Sequence, residues 1–416
     1  MAQRRSERGL DWLNLFVADV QTGFGPFIAV YLTAQEWTEF SVGLALSLGT
    51  FTALVSQVPA GALVDATPRK RLAALLALLS LALSALLLAT WPATLPVLVA
   101  EVLHGFASCV LTPAVAAISL VLVGRAALGE RLGRNARYRA LGNGVAAGVM
   151  GAAGAWISGA AVFWLTAALT LPAMLALSWI RAGDLAQGEA AVQRPAEATG
   201  RGGLRDLLRS RGVLVFSGCC ALFALSNAAM LPLAGTQATA RTGAMANLVI
   251  AACIVVPQFV VAAISPWIGR LAERRGRRLV LLLGLAALPV RGLLLAVVHH
   301  PVGLVLVQAL DGIGAAALGV LVPLLAADLT RGSNRFNTCM GLFGLAAGLG
   351  ATVSTAAAGF LAAEFGAGVA FTALAGAGLG AVALAWAAMP ETAPVPQAAA
   401  RDGQQAGVAQ ASRELV

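Results

Sequence analysis

Apolar segments long enough to cross a lipid bilayer recur along the whole 416-residue sequence. A bilayer crossing by a helix needs roughly 20 apolar residues, and continuous runs rather than short alternating strands exclude an outer-membrane barrel. Only 11% of the residues are charged, against about 25% in soluble domains. The sequence therefore predicts an all-α membrane protein with twelve transmembrane helices, at about 11–33, 40–62, 71–91, 94–122, 139–163, 165–181, 212–235, 245–268, 278–298, 302–327, 336–362 and 367–389.

The basic residues lie on one side of these predicted spans. If the N-terminus is cytoplasmic, 26 of the 28 basic residues fall on the inner side, which leaves Arg241 in an outer loop and Arg291 within a span. Positive charge on the inner side sets the orientation of membrane proteins. We expect a multi-pass membrane protein with both termini in the cytoplasm. The net charge of +9 then reflects topology, and no nucleic-acid partner is expected.

A polar linker divides the spans into two sets of six. We predict an N-terminal six-helix bundle at 1–181, a cytoplasmic linker at 182–211, a C-terminal six-helix bundle at 212–389 and a disordered cytoplasmic tail at 390–416.

The two halves repeat each other. GALVDATPRKR at 61–71 recurs as GRLAERRGRR at 269–278, and Glu101 corresponds to Gln308. Pro26 and Pro232 are also paired, so these three offsets lie between 206 and 208 residues. A duplicated six-helix unit with both copies in one orientation is typical of rocking transporters.

With these two loops, the chain resembles the major facilitator superfamily over essentially its whole length. The family loop has the form G-x-L-a-D-R-x-G-R-[RK], which the two copies match in part, with Glu273 in place of Asp. The resemblance implies two pseudo-symmetric bundles around a central cavity, and loops that gate the cytoplasmic side. The residues that would gate are Gly61, Asp65, Arg69, Lys70, Gly269, Glu273 and Arg277. The alternative is that these charges only set the topology. The opening DVQTGFGPFIAVYL is also similar to a bacterial subgroup of this superfamily. This resemblance implies the inner membrane of a bacterium but no particular substrate.

Polar residues inside the predicted spans are costly and usually face a cavity. In the family fold the first, fourth, seventh and tenth helices line that cavity, which implies a role in proton coupling or substrate binding for a set of seven residues. These are Asp19, Gln21, Glu101, His104, Asn227, Gln308 and Asp311.

Glu101 and His104 share one helix face because they are three residues apart. A low-dielectric site favours a protonated carboxyl, and imidazole titrates near neutrality, so they are candidates for a proton-binding pair. A hydrogen-bonded structural pair is the alternative. Family members often carry R-x-x-Q-G at this place, where this chain has an acid. Arg291 lies on the peripheral ninth span, and we expect it to be structural, with Asp311 as its partner.

The glycines of the fifth span (144, 148, 151, 154) and the eleventh (341, 344, 348, 350) are expected to permit close helix contact between the halves.

These features favour a secondary transporter that moves a small molecule by alternating access, with proton-coupled efflux as the leading form. An importer or uniporter of a small organic solute, such as a metabolite or a siderophore-like compound, and a non-transporting sensor of the same fold stay open. No nucleophile or metal motif predicts an enzyme, and we expect neither a cofactor nor a metal site. The expected partners are the substrate, protons and the lipid bilayer, and we expect a monomer.

Overall fold

The computed structural model describes residues 2–22, 24, 26–192, 204–242 and 246–393. The middle of the predicted linker and nearly all of the predicted tail lie outside the described residues, as does the side chain of Asp19.

The described chain is helical almost throughout. Its helices are α1 (Ala2–Thr22), α2 (Pro26–Ala34), α3 (Glu39–Ala66), α4 (Lys70–Thr90), α5 (Thr94–Val123), α6 (Leu128–Trp156), α7 (Gly159–Trp179), α8 (Ala182–Val192), α9 (Leu204–Arg209), α10 (Arg211–Asn227), α11 (Met230–Thr242), α12 (Ala246–Arg275), α13 (Arg277–Val297), α14 (Pro301–Val307), α15 (Ala309–Leu329), α16 (Phe336–Phe365) and α17 (Ala367–Ala388).

Ten of the twelve predicted spans coincide with helical segments that are long and apolar enough to cross a membrane. The first predicted span is interrupted between α1 and α2, and the fifth lies in α6, whose first turns are rich in arginine. α1 nevertheless packs against α6 and α7. The predicted fold class, an all-α membrane protein of two helical bundles, is confirmed, and the twelve-helix arrangement is consistent with these contacts.

The predicted bounds of the fifth and sixth spans were wrong. α6 begins at Leu128 rather than at 139, and it ends at Trp156 rather than at 163. The side chain of Ser158 accepts a hydrogen bond from the backbone N–H of Ala161 at 3.1 Å and so caps α7. A serine in this role starts a helix, which places the break seven residues earlier than the apolar pattern indicates.

The predicted linker begins with ordered structure. α8 packs against α5, and the Ser6 hydroxyl of α1 donates to the Asp184 carboxylate of α8 at 2.6 Å. The first part of the linker is therefore attached to the N-terminal half rather than free in solvent.

The hydrogen bonds and close backbone approaches between the two halves are concentrated at one end of the molecule. We call the end that carries Arg69–Arg71, Arg125 and Arg274–Arg278 the basic end, and the opposite one the far end. At the basic end α3 packs against α16, and α6 packs against α12. Further along α6, Gly144, Gly148 and Gly151 face open space. These glycines therefore do not make the predicted close contact here, whereas Gly341 of α16 lies against the Gln57 carbonyl.

Candidate functional site: two inter-half contacts and a polar cavity wall

Asp65 joins the halves at the basic end. It ends α3, and its carboxylate accepts hydrogen bonds from the backbone N–H groups of Asn337 at 2.9 Å and Thr338 at 2.7 Å. The Asn337 amide and the Thr338 hydroxyl also donate to it, at 2.8 and 2.6 Å. α16 begins at Phe336, so the carboxylate caps a helix whose N-terminus carries partial positive charge. Asp65 is thus a hydrogen-bonded contact between α3 and α16.

Glu273, in the C-terminal half, makes the corresponding contact with a helix of the N-terminal half. Its carboxylate accepts a hydrogen bond from the backbone N–H of Glu130 at 3.0 Å, in the first turn of α6. Each loop copy therefore places an acid at the N-terminus of a helix in the other half.

The two glycines of these loops allow the halves to approach. A Cβ atom at Gly61 would overlap the Asn337 carbonyl, and one at Gly269 would overlap the Gly129 carbonyl. Any larger side chain at either position would push α3 from α16 or α12 from α6.

The basic residues of the loops do not join the halves. Lys70 donates to the carbonyls of Val64 at 2.6 Å and Thr67 at 2.8 Å, within its own loop. Arg277 pairs with Asp328 of α15 at 3.0 Å, inside the C-terminal half. The side chain of Arg69 forms no hydrogen bond or ion pair within the described chain, and its backbone carbonyl accepts from the N–H groups of Leu72 and Ala73. These geometries suit bracing of each loop rather than a bridge between the halves.

Two arginines that the sequence interpretation did not assign to gating do cross between the halves. Arg137 of α6 donates to the Ala262 carbonyl of α12 at 2.8 Å, and Arg125 donates to the Ala327 carbonyl of α15. The sequence offered one signal, because Arg137-Tyr138 before the fifth predicted span resembles Arg335-Phe336 before the eleventh, but such a repeat does not reveal a backbone partner.

Glu101 is buried in α5 with an unpartnered carboxyl oxygen among the described residues. Only 4% of its surface is exposed, and its carboxyl group lies against Gly49 of α3. Its Oε1 atom has no hydrogen-bond partner among the described residues. A buried carboxyl with neither a donor nor a cation is most stable in its neutral form.

His104 does not bond to Glu101 in this conformation. Its ring stacks on Phe24 with centroids 4.1 Å apart and planes 12° apart. Phe24 lies in the interruption between α1 and α2, where its N–H donates to the Gln21 carbonyl at 3.4 Å. The structure thus places Gln21, Phe24 and His104 in one region and Glu101 on the neighbouring contact with α3.

In the second half, three of the predicted cavity residues meet at Arg291. This arginine, 2% exposed, pairs with Asp311 at 2.8 Å and donates to Gln308 at 2.6 and 3.0 Å. It also donates to the Asn227 side-chain carbonyl. Asn227 ends α10 and Gln308 separates α14 from α15, so the guanidinium lies where two helices are interrupted. Helix C-termini carry partial negative charge, which adds to the stabilisation from Asp311.

Comparisons with known proteins agree with this architecture. A sequence profile of the Major Facilitator Superfamily matches residues 12–265 and 214–415. Uncharacterized MFS-type transporters of Mycobacterium tuberculosis, strains CDC 1551 and H37Rv, are 35% identical over 397 residues, which are 93% of this chain and 94% of each relative. The chain belongs to the major facilitator superfamily.

Solved structures of other superfamily members share the fold at low sequence identity. Human MFSD10, an organic anion transporter, has a TM-score of 0.71 at 17% identity, covering 92% of this chain and 99% of its own. The proton:xylose symporter XylE has a TM-score of 0.72 at 15% identity, covering 94% and 96%. FucP in the outward conformation has a TM-score of 0.66 at 16% identity, covering 91% and 97%.

As a superfamily member, the chain is a membrane transporter and not an enzyme. The described residues contain no group of three or more His, Cys, Asp or Glu side chains that is able to hold a metal ion.

The sequence interpretation missed a buried ion-pair cluster in the first half of this transporter. Asp11 of α1 contacts both Arg131 and Arg134 of α6, and Arg131 also donates to Asn135 at 2.8 Å. The i, i+3 spacing of the two arginines was the available signal. Asp11 is only 2% exposed and Arg131 only 4%. The ion pair with Asp11 therefore explains how the charge of Arg131 is tolerated in the buried first turns of α6.

Proposed function

We propose that this protein is a proton-coupled secondary transporter of a small molecule, captured with its cavity open to the outside. Under the positive-inside rule, the basic end faces the cytoplasm of a bacterium, with both termini on that side of the inner membrane. The contacts of Asp65, Glu273 and Arg137 between the halves all lie at this end. Alternating access requires these contacts to break so that the cytoplasmic side opens. We expect one chain to suffice as the transport unit.

The observation that carries proton coupling is the environment of Glu101. Ionising this buried carboxyl would place a negative charge beside Gly49 with no partner for Oε1. Such a charge is costly unless it is paired or hydrated. The outward-open state therefore favours proton binding at Glu101, and water reaching it in the inward-open state would favour proton release. His104, stacked on Phe24, lies one helical turn from Glu101 on the same helix, and we propose that its side chain moves towards Glu101 on the conformational change.

The second half supplies the remaining wall of the proposed substrate site. Asp311 is 24% exposed, while its partner Arg291 is buried. The pair is neutral overall, and Asn227 and Gln308 already bond to the guanidinium. Such a wall favours a neutral or cationic small organic molecule, which uses the exposed side of Asp311, over an anion.

The proposed direction is export in exchange for protons. A carboxyl that is protonated in the outward-open state fits an exporter driven by external acid. It also fits an importer that carries substrate and proton together, as in the proton:xylose symporter XylE. The experiment must therefore separate the two.

Everted membrane vesicles with an acidified lumen and a fluorescent pH reporter provide the test. Amphipathic cations, neutral metabolites, organic acids and siderophore-like chelates are added in turn to wild type, Glu101→Gln and the control Glu364→Gln, which changes an exposed glutamate. A compound that dissipates the gradient with wild type and Glu364→Gln, but not with Glu101→Gln, establishes proton-coupled export.

Other results would overturn parts of the proposal. Gradient dissipation by Glu101→Gln at the wild-type rate excludes Glu101 as the coupling group. Labelled compound moving down its own gradient without proton movement establishes a uniporter, and proton movement together with the compound establishes an importer. A compound that binds but never moves establishes the sensor.

A further inference from the structure

A groove of about 520 Å³ lies at the basic end, on the outside of the C-terminal half between α12 and α13. One side of it carries Arg270, Arg274 and Arg275, and the other carries Leu279 and Leu283. It is remote from Arg291 and Asp311 along α13 and α15, so the proposed transport mechanism does not use it.

The three arginines are exposed and uncompensated. Their side chains form no ion pair or hydrogen bond within the part of the chain that the structure describes. Their neighbour Arg277, by contrast, is buried and paired with Asp328. Glu273, the acid among them in sequence, is directed to the N–H of Glu130 in the other half. The groove therefore presents three guanidinium groups without a counterion.

The apolar side of the groove continues along α13 towards the far end. Leu279 and Leu283 are 38% and 48% exposed, and Val290 and Leu293 are each 50% exposed. Opposite them, Trp267 of α12 is 54% exposed. The stripe from position 279 to 293 is about 21 Å long at 1.5 Å per residue, which exceeds the roughly 15 Å of one leaflet's hydrocarbon layer.

We propose that this groove binds an anionic phospholipid. Its phosphate group accepts hydrogen bonds from Arg270, Arg274 and Arg275, since guanidinium groups bind phosphate by paired, charge-assisted hydrogen bonds. Its acyl chains lie on Trp267, Leu279 and Leu283. A soluble phosphate ion would use the arginines alone, so the adjoining apolar stripe is what selects a lipid.

Native mass spectrometry of the purified protein in a neutral detergent tests this assignment. Wild type is titrated with dioleoylphosphatidylglycerol and, separately, with dioleoylphosphatidylcholine. The phosphatidylglycerol titration is repeated in the presence of excess inorganic phosphate. The test variant is Arg270→Gln/Arg274→Gln/Arg275→Gln. The matched control, Arg205→Gln/Arg209→Gln/Arg211→Gln, removes the same charge from exposed linker positions outside the groove.

We expect wild type to retain phosphatidylglycerol in preference to phosphatidylcholine. The test variant should lose about tenfold or more in apparent affinity for phosphatidylglycerol, because it removes three cationic groups from beside the anionic headgroup. The control variant should stay within about twofold of wild type, as should wild type in excess phosphate.

Equal losses in both triple variants, or equal binding of both lipids by wild type, would show general electrostatic attraction and overturn the site. Displacement of the lipid by inorganic phosphate would make it a small-anion site instead. If the triple variant does not purify as a folded protein, the single change Arg274→Glu at an exposed position replaces it, with Arg209→Glu as its control, and the same comparisons decide.

Discussion

The two halves of the molecule share a backbone plan but satisfy their carboxylates differently. In the first half the carboxylate of the loop acid Asp65 accepts four hydrogen bonds and the residue is 7% exposed, whereas its half-buried counterpart Glu273 accepts one. Inside the membrane the order is reversed. Glu101 of the first half has an unpartnered carboxyl oxygen, while Asp311 of the second half is paired with Arg291.

The polar groups of the two halves therefore differ although the fold repeats. The first half holds the inter-half contact with four hydrogen bonds and a buried carboxyl whose Oε1 atom has no partner among the described residues. The second half holds the inter-half contact with one hydrogen bond and a carboxylate paired with a buried arginine. Gene duplication preserved the fold, because the packing of six helices depends on apolar pattern, while individual polar pairs diverged.

Removing Arg291, the cation that pairs with Asp311 in the second half, should have the largest effect on stability. Arg291→Leu leaves Asp311 without its cation, and removing one partner of a buried pair costs about 3–5 kcal/mol. We expect a clear loss of thermal stability in detergent, measured by scanning fluorimetry. The double variant Arg291→Leu/Asp311→Leu should recover most of that loss, because the carboxylate is removed too. A double variant as unstable as the single one would mean that packing of the arginine stem, and not the ion pair, matters.

The inter-half contact of Asp65 should contribute more to the closed basic end than the contact of Glu273. Asp65→Asn removes the charge at the start of α16 and weakens four hydrogen bonds, so we expect the closed basic end to lose about 2–3 kcal/mol. Glu273→Gln should cost about 1 kcal/mol or less. Spin labels on the exposed residues Ala66 and Arg331, on opposite sides of the contact, report the distance distribution. Equal populations of the open form in both variants would contradict the asymmetry.

Neutralising Glu101 and Asp311 separately should change the free energy of unfolding by different amounts. Glu101→Gln mimics the protonated carboxyl, and we expect the free energy of unfolding to change by less than about 1 kcal/mol. Asp311→Asn leaves Arg291 uncompensated and should destabilise clearly more. Both are compared by thermal unfolding at neutral pH. A Glu101→Gln protein as unstable as Asp311→Asn would show that Glu101 is ionised and paired in the native state.

The smallest expected effect on stability concerns Glu391, which caps the N-terminus of α13 in the second half. Its carboxylate accepts hydrogen bonds from the N–H groups of Arg277 at 2.9 Å and Arg278 at 3.1 Å, at the start of α13. In the first half, α4 has no such side-chain cap. Burial raises the pKa of Glu391, but hydrogen bonds from the backbone N–H groups of residues 277, 278, 392 and 393 outweigh it, so its pKa lies below the ordinary value.

A lowered pKa in the folded state fixes the sign of the pH dependence. The contribution of Glu391 is fully present above the ordinary glutamate pKa of about 4.3 and is lost as the pH falls through the lowered value. Glu391→Gln should therefore be slightly less stable than wild type at pH 7, and the two unfolding temperatures should converge as the pH falls below the ordinary glutamate pKa and through the lowered one. A difference that persists unchanged at acid pH would mean that the cap does not depend on charge.

Much of the fold was readable from the sequence because it rests on local regularities. Apolar runs marked the spans, and the repeated loops at 61–71 and 269–278 marked the duplication and the family. Boundaries were less secure where polar residues are satisfied by tertiary partners. α6 begins at Leu128, eleven residues before the apolar pattern suggests, and its Arg131 is paired with Asp11 from α1.

The sequence by itself determined the membrane location, the two-bundle plan, the family, most of the intramembrane polar residues and the pairing of Arg291 with Asp311. Only the tertiary structure decided the other partners and revealed the buried cluster of Asp11 with Arg131 and Arg134. Asp65 finds Asn337 and Thr338 about 270 residues away, Arg277 turns to Asp328 instead of across the halves, and Glu101 has no partner for Oε1. The reason is physical: helix periodicity fixes which face a side chain occupies, but the packing of separate helices fixes what that face meets.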